Sequence, residues 1–401
     1  MSDPQPLPVE RIDPFDPPPA LVQRQRRSPI SRLAYPDGTA GWLVTTHATT
    51  RAVLADPRFS ARQELKRMPV ASGMVEQERR PADPGMFISM DAPEHTRYRK
   101  VFAAAFGARR MRMLTPRVER IVERALDRMI DAGEPADLVA DFALPVPSLT
   151  ICELLGVPKS ERDHFQRDAA TAHTLESTPE QVGAAFGAVS RLLSELVAHK
   201  RDFPGDDLLS AVAAAGTLRN DELVGAAVLL LFAGHETTAN MIALGTFALL
   251  CHPDQWAALV ANPALVHGAV EELLRYLSIV HLGLVRAALE DVEIDGVTVR
   301  AGEVVTCALP VVNRDPRRFA DPDRLDIRRD PGGHLGFGAG VHQCIGAQLA
   351  RIEMRAAFAA LARRLPRLRI AIEPNEVPMR HDMAFYGVHR LPVGWGAVSS
   401  R

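Results

Sequence analysis

The sequence predicts a mainly α-helical fold with small β-sheets, and three patterns of residues point to it. Apolar residues recur at helical spacing through most of the chain between residues 94 and 277. Within that region, segment 220–250 is apolar on nearly all sides, which predicts a long, central, buried helix. Short runs rich in β-branched residues follow at 292–302 and 304–312 and are typical of strands.

The individual elements are predicted in the following order. A proline-rich arm at 1–20 is followed by a short strand at 42–45, a helix at 47–55 and an irregular stretch at 60–90. Helices are then expected at 94–107, 110–132, 147–155, 160–173, 179–202, 220–250, 254–261 and 263–277. The two strands precede a Pro- and Asp-rich stretch at 313–330, and a last long helix covers 345–365. Because no repeat or low-complexity linker divides the chain, residues 1–401 are expected to form a single domain.

The composition excludes several classes of protein. Apolar residues make up 47% of the chain and charged residues 24%, as in ordinary soluble proteins. A net charge of −2 argues against a general nucleic-acid-binding protein, which needs a basic excess. The first 22 residues lack the basic and apolar segments of a signal peptide, and the apolar run at 223–232 is too short to span a bilayer. The protein is therefore expected to be cytoplasmic, with no membrane or nucleic-acid partner.

The four cysteines do not form a cluster. Cys152, Cys251 and Cys307 lie in apolar segments and are expected to be small buried side chains. No CxxC pair is present, so a cysteine-rich zinc site or a disulfide framework is not predicted. Cys344 differs from the others because it lies in the glycine-rich segment GFGAGVHQCIG at 336–346.

The predicted central helix has an unusual middle, AGHETT at 233–238. Asn220 is a suitable N-cap for this helix, but Gly234 weakens a helix and a buried Glu236 needs a partner or a chemical role. A zinc-binding HExxH motif is excluded because the second histidine position is Ala239. Two interpretations remain for the segment. It is either a kinked structural helix whose threonine hydroxyls bond back to carbonyls, or a groove for a ligand with Thr and Glu as proton donors.

Glu272 and Arg275 are three residues apart on one face of the helix predicted at 263–277. By itself this spacing indicates an exposed ion pair that stabilises the helix by only a few tenths of a kcal/mol. The pair indicates a function only in combination with other motifs of the chain.

The glycine-rich segment at 336–346 has three possible functions. A dinucleotide site is disfavoured because Gln343 stands where the third glycine of GxGxxG would fall, and no Rossmann-type strand precedes it. A nucleophilic Cys344 at the start of a helix is chemically feasible, but the sequence holds no thiol-enzyme signature. The third possibility is that the thiolate of Cys344 binds a metal.

The whole segment resembles the FGxGxHxCxG haem-binding loop of the cytochrome P450 family at every specified position. Further motifs of that family occur in the same order between residues 93 and 351. They are PEHTRYR at 93–99, the AGHETT of the central helix, the Glu272–Arg275 pair as ExxR, NRDP with Phe319, and LAR at 349–351. Together these motifs identify the chain as a member of that family and imply its fold, with the long central helix crossing over the haem.

The resemblance implies a role for each matching residue. Cys344 is expected to bind the iron of haem b, with O2 as co-substrate. Thr237 is expected to hold oxygen and water, and Glu236 to relay protons. The cofactor-binding residues implied by the resemblance are His95, Arg99, Arg286 and His342 toward the propionates, Phe337 and Gly338 beside the thiolate, and Ala233 and Gly234 on the central helix. Glu272 and Arg275 are expected to support folding of the segment under the haem.

The implied activity is insertion of one oxygen atom into a hydrophobic small molecule, by hydroxylation or epoxidation. The resemblance is strongest to soluble bacterial members that modify polyketides, macrolides or xenobiotics. Electrons are expected from a ferredoxin and an NAD(P)H-dependent ferredoxin reductase, and the protein is expected to be a monomer. Segments expected to contact substrate are 60–90, 165–190, 280–284, Leu230, Ala233 and Phe385. Basic residues expected to face the ferredoxin are Arg97, Lys100, Arg109, Arg110 and Arg351. A peroxide-driven peroxygenase and a non-catalytic haem sensor or carrier remain as alternatives.

Overall fold

The computed structural model describes residues 3–71, 80–173, 178–330 and 332–396. Helices dominate, as the sequence predicts. They are α1 Pro19–Arg27, α2 His47–Ala55, α3 Glu94–Ala103, α4 Ala108–Ala132, α5 Pro145–Leu155, α6 Arg162–His173, α7 Pro179–Asp202, α8 Leu208–Ala215, α9 Asn220–Cys251, α10 Pro253–Ala261, α11 Val266–Leu277, α12 Leu309–Val312 and α13 Ala347–Arg364.

The strands described form small sheets at the edge of the helices. The largest has the order β1-β2-β8-β5-β3, with β2 parallel to β8 and the other neighbours antiparallel. Its strands are β1 Ile30–Ala34, β2 Ala40–Val44, β3 Phe59–Ser60, β5 Leu284–Ala288 and β8 Val304–Cys307. A second sheet joins β4 Ala136–Asp137, β10 Pro392–Gly394 and β9 Arg369–Ile370, and β6 Val292–Ile294 pairs with β7 Val297–Val299.

Helix α9 forms the centre of the protein. It packs against α5, α7 and α13, and most of its side chains are buried. Glycines bring its neighbours close, since a Cβ at Gly245 would lie 2.8 Å from the Phe358 ring of α13. By length and hydropathy α9 could cross a membrane, but 83% of its most apolar window is buried inside the protein. Such burial is what the core helix of a globular fold requires.

Several sequence-based predictions of elements need correction. Segment 304–312 was expected to be one strand, but β8 ends at Cys307 and the chain turns into α12, where Pro310 cannot donate to a sheet. Asn220 is the first helical residue of α9 and not its N-cap. The N-cap is Arg219, whose backbone N–H donates to the Glu222 carboxylate at 2.9 Å. Helices α1 and α8 and strands β1 and β5 were not predicted, because each is short and weakly periodic.

Candidate functional site

A large cavity lies between α9 and the glycine-rich loop. Its volume is about 1560 Å3, and its walls come from α3, α7, α9, α13, β5 and the loop. Nearly all of the predicted site residues line it together: Ala233, Gly234, Thr237, His95, Arg99, Arg286, Phe337, Gly338, His342 and Cys344. Glu236 is not among the described residues that line it. The sequence motifs, spread over 250 residues, therefore converge on one space.

The loop around Cys344 is fixed by the backbone. The Cys344 amide donates to the Phe337 carbonyl at 2.9 Å, which closes the loop just before α13. Gly338 and Gly340 have φ of +69° and +71°, a region that disfavours side chains. A Cβ on Gly340 would also lie 2.1 Å from the carbonyl oxygen of Leu54, at the end of α2. The loop can therefore seat against α2 only with glycine at this position.

The thiol of Cys344 opens into the cavity. Burial raises its pKa, while the Gly346 amide and the guanidinium groups of Arg99 and Arg351 act in the opposite direction. The ring of Phe337 lies beside the loop and is covered by the Arg351 guanidinium, 4.6 Å from the ring centroid. The surroundings thus contain several groups that stabilise a thiolate, which is the form that binds metals.

Four basic side chains gather at one end of the cavity. The rings of His95 and His342 lie 4.1 Å apart, and Arg99 donates to the Gln343 carbonyl at 2.5 Å. Arg286 projects from β5, opposite Val305 of β8, and donates to the carbonyl of Val285 at 2.9 Å. Burial, followed by the nearby cations Arg286, His95, Lys66 and Arg99, lowers the pKa of His342 to about 3. Burial also lowers the pKa of His95 and of Arg286.

These residues fit a haem group. Among the described residues, Nε2 of His95 is buried without a hydrogen-bond partner, and the ring lines the cavity. Crowded cations and an unpartnered imidazole nitrogen require an anionic group beside them. A porphyrin with two carboxylates supplies that charge, and Cys344, next to the residue that Arg99 binds, offers the sulfur ligand in the same cavity. The set of one cysteine sulfur, two arginines and two histidines therefore matches haem.

Helix α9 contributes the opposite wall. Ala233 is exposed in the middle of this otherwise buried helix because it faces the cavity. The Thr237 hydroxyl donates to the Ala233 carbonyl at 2.7 Å, as the structural interpretation of the AGHETT segment expects, and the residue also lines the cavity. Gly234 also lines the cavity, but a Cβ there would contact the Ile151 side chain at 3.1 Å. The space that Gly234 leaves is thus filled by α5.

Glu236 is placed differently from its neighbour Thr237. Its carboxylate is buried and accepts hydrogen bonds from Arg380, with Nη2 to Oε1 at 3.1 Å and Nη1 to Oε2 at 3.2 Å. Asn240 Nδ2 lies 3.5 Å from Oε2 as well. No pattern in the sequence indicated Arg380 as the partner, because it lies 144 positions further along the chain.

The Glu272–Arg275 pair is fully buried, in contrast to the exposed pair that its spacing alone indicates. Arg275 Nε and Nη2 each donate to a Glu272 carboxylate oxygen at 2.8 Å. Arg275 also donates to the carbonyls of Asn313 and Pro322, in the irregular stretch before the glycine-rich loop. The Asn313 side chain in turn accepts from the Leu335 amide at 2.7 Å. The pair therefore supports the loop that carries Cys344, as the motif implied.

The arginines expected to face a ferredoxin have acidic partners in three cases. Arg97 pairs with Glu222 at 2.5 Å, Arg110 with Asp206 at 2.8 Å, and Arg351 with Glu271 at 2.7 Å. Their positive charge is partly neutralised, and Arg97 also takes part in holding the start of α9. These contacts could not be foreseen because each joins residues that are far apart in sequence.

The predicted substrate segments lie partly on the cavity wall. Met86, Phe87, Ile88, Leu230 and Phe385 all line it. So do Val280 and Leu284 at the two ends of the strip 280–284, and Phe186 of α7. Parts of two predicted segments, 72–79 and 174–177, lie outside the described residues. The described lining is largely apolar, with polar groups such as Gln63 and Ser190 among it.

Comparisons with known proteins agree with this site. Residues 256–384 match the family model described as "Cytochrome P450". Cytochrome P450 105C1 from a Streptomyces species is 50% identical over 95% of this chain and 96% of its own. Pentalenic acid synthase from Streptomyces avermitilis is 43% identical, with 98% of each chain covered. The crystal structure of CYP105P1 in complex with filipin I has a TM-score of 0.91 and 42% identity, covering 98% of this chain and 99% of that one. The chain belongs to the cytochrome P450 family of haem-dependent monooxygenases.

Proposed function

We propose that this protein is a haem b monooxygenase that inserts one oxygen atom from O2 into a hydrophobic small molecule. The observation that carries the proposal is that Cys344 of the glycine-rich loop and Thr237 of α9 line the same cavity, together with two arginines and two histidines. Haem, once bound, would supply activation of dioxygen. Residues 1–401 would then act as one haem domain, monomeric and cytoplasmic.

The residues that line the cavity would hold and shield the cofactor. Cys344 provides the sulfur ligand, and Phe337 with the Arg351 guanidinium over it limits access of water to that sulfur. His95, Arg99, Arg286 and His342 bind the two carboxylates, as do cations at buried anions in general. Gly338 without a side chain and Ala233 with only a methyl group would leave room for the porphyrin in the cavity.

Thr237 and Glu236 would manage protons on the side of α9. The Thr237 hydroxyl, which donates to the Ala233 carbonyl, can exchange that acceptor for a water or a reacting oxygen in the cavity. Glu236 would then pass protons from solvent to this hydroxyl. A general acid can do so only when its carboxyl group is within hydrogen-bond reach of the acceptor. The position of Glu236 behind the cavity wall means that its side chain must reorient for this step.

The substrate is proposed to be a polyketide-like or macrolide-like secondary metabolite, or a xenobiotic of similar size. A cavity of about 1560 Å3 exceeds what a haem and a small metabolite would fill. The lining by Phe186, Ile88 and Phe385 favours a hydrophobic molecule. One relative, 40% identical to this chain, is the 20-oxo-5-O-mycaminosyltylactone 23-monooxygenase of Streptomyces fradiae.

Electrons are proposed to arrive from a ferredoxin and its NAD(P)H-dependent reductase. Lys100 and Arg109 are the two members of the expected basic surface for which the structure gives no ion pair among the described residues. An acidic ferredoxin can pair with them without displacing an internal carboxylate.

The test begins with the haem-loaded protein. Its reduced CO complex should give the thiolate-type absorption spectrum, and Cys344→Ser should abolish it while Cys251→Ser leaves it intact. A library of polyketides and drugs is then screened for ligand-induced spectral shifts, and hits are incubated with a surrogate ferredoxin chain. Mass spectrometry should find products 16 Da heavier. Turnover with hydrogen peroxide but not with the ferredoxin chain would favour a peroxygenase, and binding without any turnover would favour a sensor or carrier.

A further inference from the structure

The carboxylate of Glu236 is held by a planar fork from outside the cavity. Both terminal nitrogens of Arg380 bind it, at 3.1 and 3.2 Å, and Nη1 also donates to Asn240 Oδ1 at 3.0 Å. Side-chain exposure is 1% for Glu236 and 11% for Arg380. A two-point Arg–carboxylate pair of this kind is strong and directional when it is shielded from water. Neither member is among the described residues that line the cavity.

Arg380 is carried by a short hairpin near the C-terminus, residues 379–388. Met379 and Val388 form a β-bridge, and the Arg380 amide donates to the Gly387 carbonyl at 2.9 Å. A Cβ on Gly387 would lie 2.1 Å from Asn240 Oδ1, so glycine lets the hairpin rest directly on α9. The hairpin therefore fixes the guanidinium against one turn of the central helix.

The tip of the same hairpin reaches the substrate space. Phe385 lines the cavity, and the neighbouring Tyr386 amide donates to the Ile279 carbonyl at 2.9 Å. The Met383 carbonyl is 3.0 Å from His281 Nε2. Phe385, which lines the cavity, is five positions after Arg380, which binds Glu236. The cavity-lining tip and Arg380 thus belong to one ten-residue segment.

We propose that Arg380 is a positioning residue that latches Glu236 away from the cavity, and that the hairpin at 379–388 controls when this latch opens. This inference rests on the proposed role of Glu236 as a proton donor. In the latched state, Glu236 binds Arg380 and Asn240, while Thr237 is turned to the Ala233 carbonyl. A proton can pass to the Thr237 side only after the carboxyl group leaves the guanidinium, takes up a proton from solvent and turns.

The latch predicts a direction for substitution. Without the guanidinium, Glu236 is free to turn toward Thr237 for a larger fraction of the time, so proton delivery speeds up. If Arg380 instead served only to stabilise the fold, its loss would slow the reaction or leave it unchanged. The two roles therefore predict opposite changes in rate.

The first test uses the full haem-loaded chain, a surrogate ferredoxin and reductase, NADPH and O2, with no organic substrate. Arg380→Gln should oxidise NADPH about fivefold faster than the parent and with a smaller solvent isotope effect in D2O. Glu236→Gln should be slow, and the double variant should be as slow as Glu236→Gln. Arg380→Lys should fall between the parent and Arg380→Gln, because it keeps a charge but loses the fork. The matched control is Arg32→Gln, which breaks a 2.9 Å pair with Glu303 in the sheet and should leave the rate unchanged.

The second test needs no turnover. Amide hydrogen exchange across 379–388 should become faster by the same factor in Arg380→Gln and in Glu236→Gln, since each removes one half of the same pair. In the double variant, exchange across 379–388 should be no faster than in either single variant. Arg32→Gln should leave exchange in this segment unchanged.

Several outcomes would overturn the latch. The first is an unchanged or lower rate of NADPH oxidation in Arg380→Gln. The second is that Arg380→Gln speeds NADPH oxidation equally when Glu236 is already Gln. The third is that Glu236→Gln leaves amide hydrogen exchange of the hairpin unchanged. If Arg380→Gln does not fold, Arg380→Lys and Glu236→Gln are compared with the parent in the same two measurements, NADPH oxidation and amide hydrogen exchange. A parent protein without the thiolate-type CO spectrum would refute the proposed function instead, and the exchange measurement would still decide on the latch.

Discussion

Replacing Glu272 by glutamine should destabilise the protein strongly, because the change preserves shape but removes a buried charge. Four N–H donors converge on this carboxylate: Arg275 Nε and Nη2 at 2.8 Å, the Asp326 amide at 3.0 Å and Arg329 Nε at 3.1 Å. A glutamine offers one acceptor oxygen, and its amide group would point a donor at donors. The guanidinium of Arg275 would stay fully buried beside a neutral partner.

The expected loss is about 3–5 kcal/mol of unfolding free energy, the range for breaking a buried ion pair from one side. Far-UV circular dichroism during urea unfolding, with and without haem, measures it. Glu123→Gln is the control, because Glu123 is 37% exposed and pairs with Arg364 at 3.3 Å. That change should cost at most about 1 kcal/mol. If the two variants lost similar stability, the buried network would not have the role assigned here.

Three further predictions concern the site and its surroundings. Thr237→Ala should still bind haem but should divert electrons to hydrogen peroxide; an unchanged ratio of product to NADPH would contradict its assigned role. Gly340→Ala should prevent haem loading, because its Cβ would collide with the end of α2. Gly216 has a similar positive φ, 64° against 71°, but no atom within 4 Å of the added Cβ, so Gly216→Ala should cost only about 1 kcal/mol. Burial lowers the pKa of His281 to about 4, whereas the unfolded chain binds this proton below pH 6.5. The unfolding free energy should therefore be at its full value above pH 6.5 and fall by up to about 3 kcal/mol as the pH drops from 6.5 to 4. Thermal unfolding against pH should lose much of this slope in His281→Gln and keep it in His267→Gln, a change at an exposed histidine.

The sequence was informative where a local pattern determines the structure. Segment 220–250 was correctly assigned as the central helix because its apolar residues surround the axis on all sides. The family comparisons confirm the fold class and the haem-dependent monooxygenase activity that the motif around Cys344 implied. The glycines of that motif could be interpreted because close approach and positive φ leave few other residues possible.

The sequence was least informative where function depends on contacts between distant segments. Glu236 and Arg380 share no pattern, so a buried glutamate was predicted to need a partner but the partner itself could not be named. The burial of Glu272 and Arg275 was hidden for the same reason, since their spacing is equally typical of a surface pair. The strand predicted at 304–312 is too long, because the β-branched residues continue past Pro310 and hide the end of the strand. The strand ends at Cys307, and Pro310, which has no N–H for a sheet, lies in α12.

The cation cluster also has a consequence for biosynthesis. His95 and Arg99 lie on α3, whereas His342 and the carbonyl that Arg99 binds are almost 250 residues later. A ribosome therefore completes more than four fifths of the chain before the thiolate loop exists, and the closure of so long a loop is slow. The nascent helices must stay folded or protected around an incomplete pocket during that time. Haem can therefore meet its complete set of binding residues only when synthesis of the chain is nearly finished.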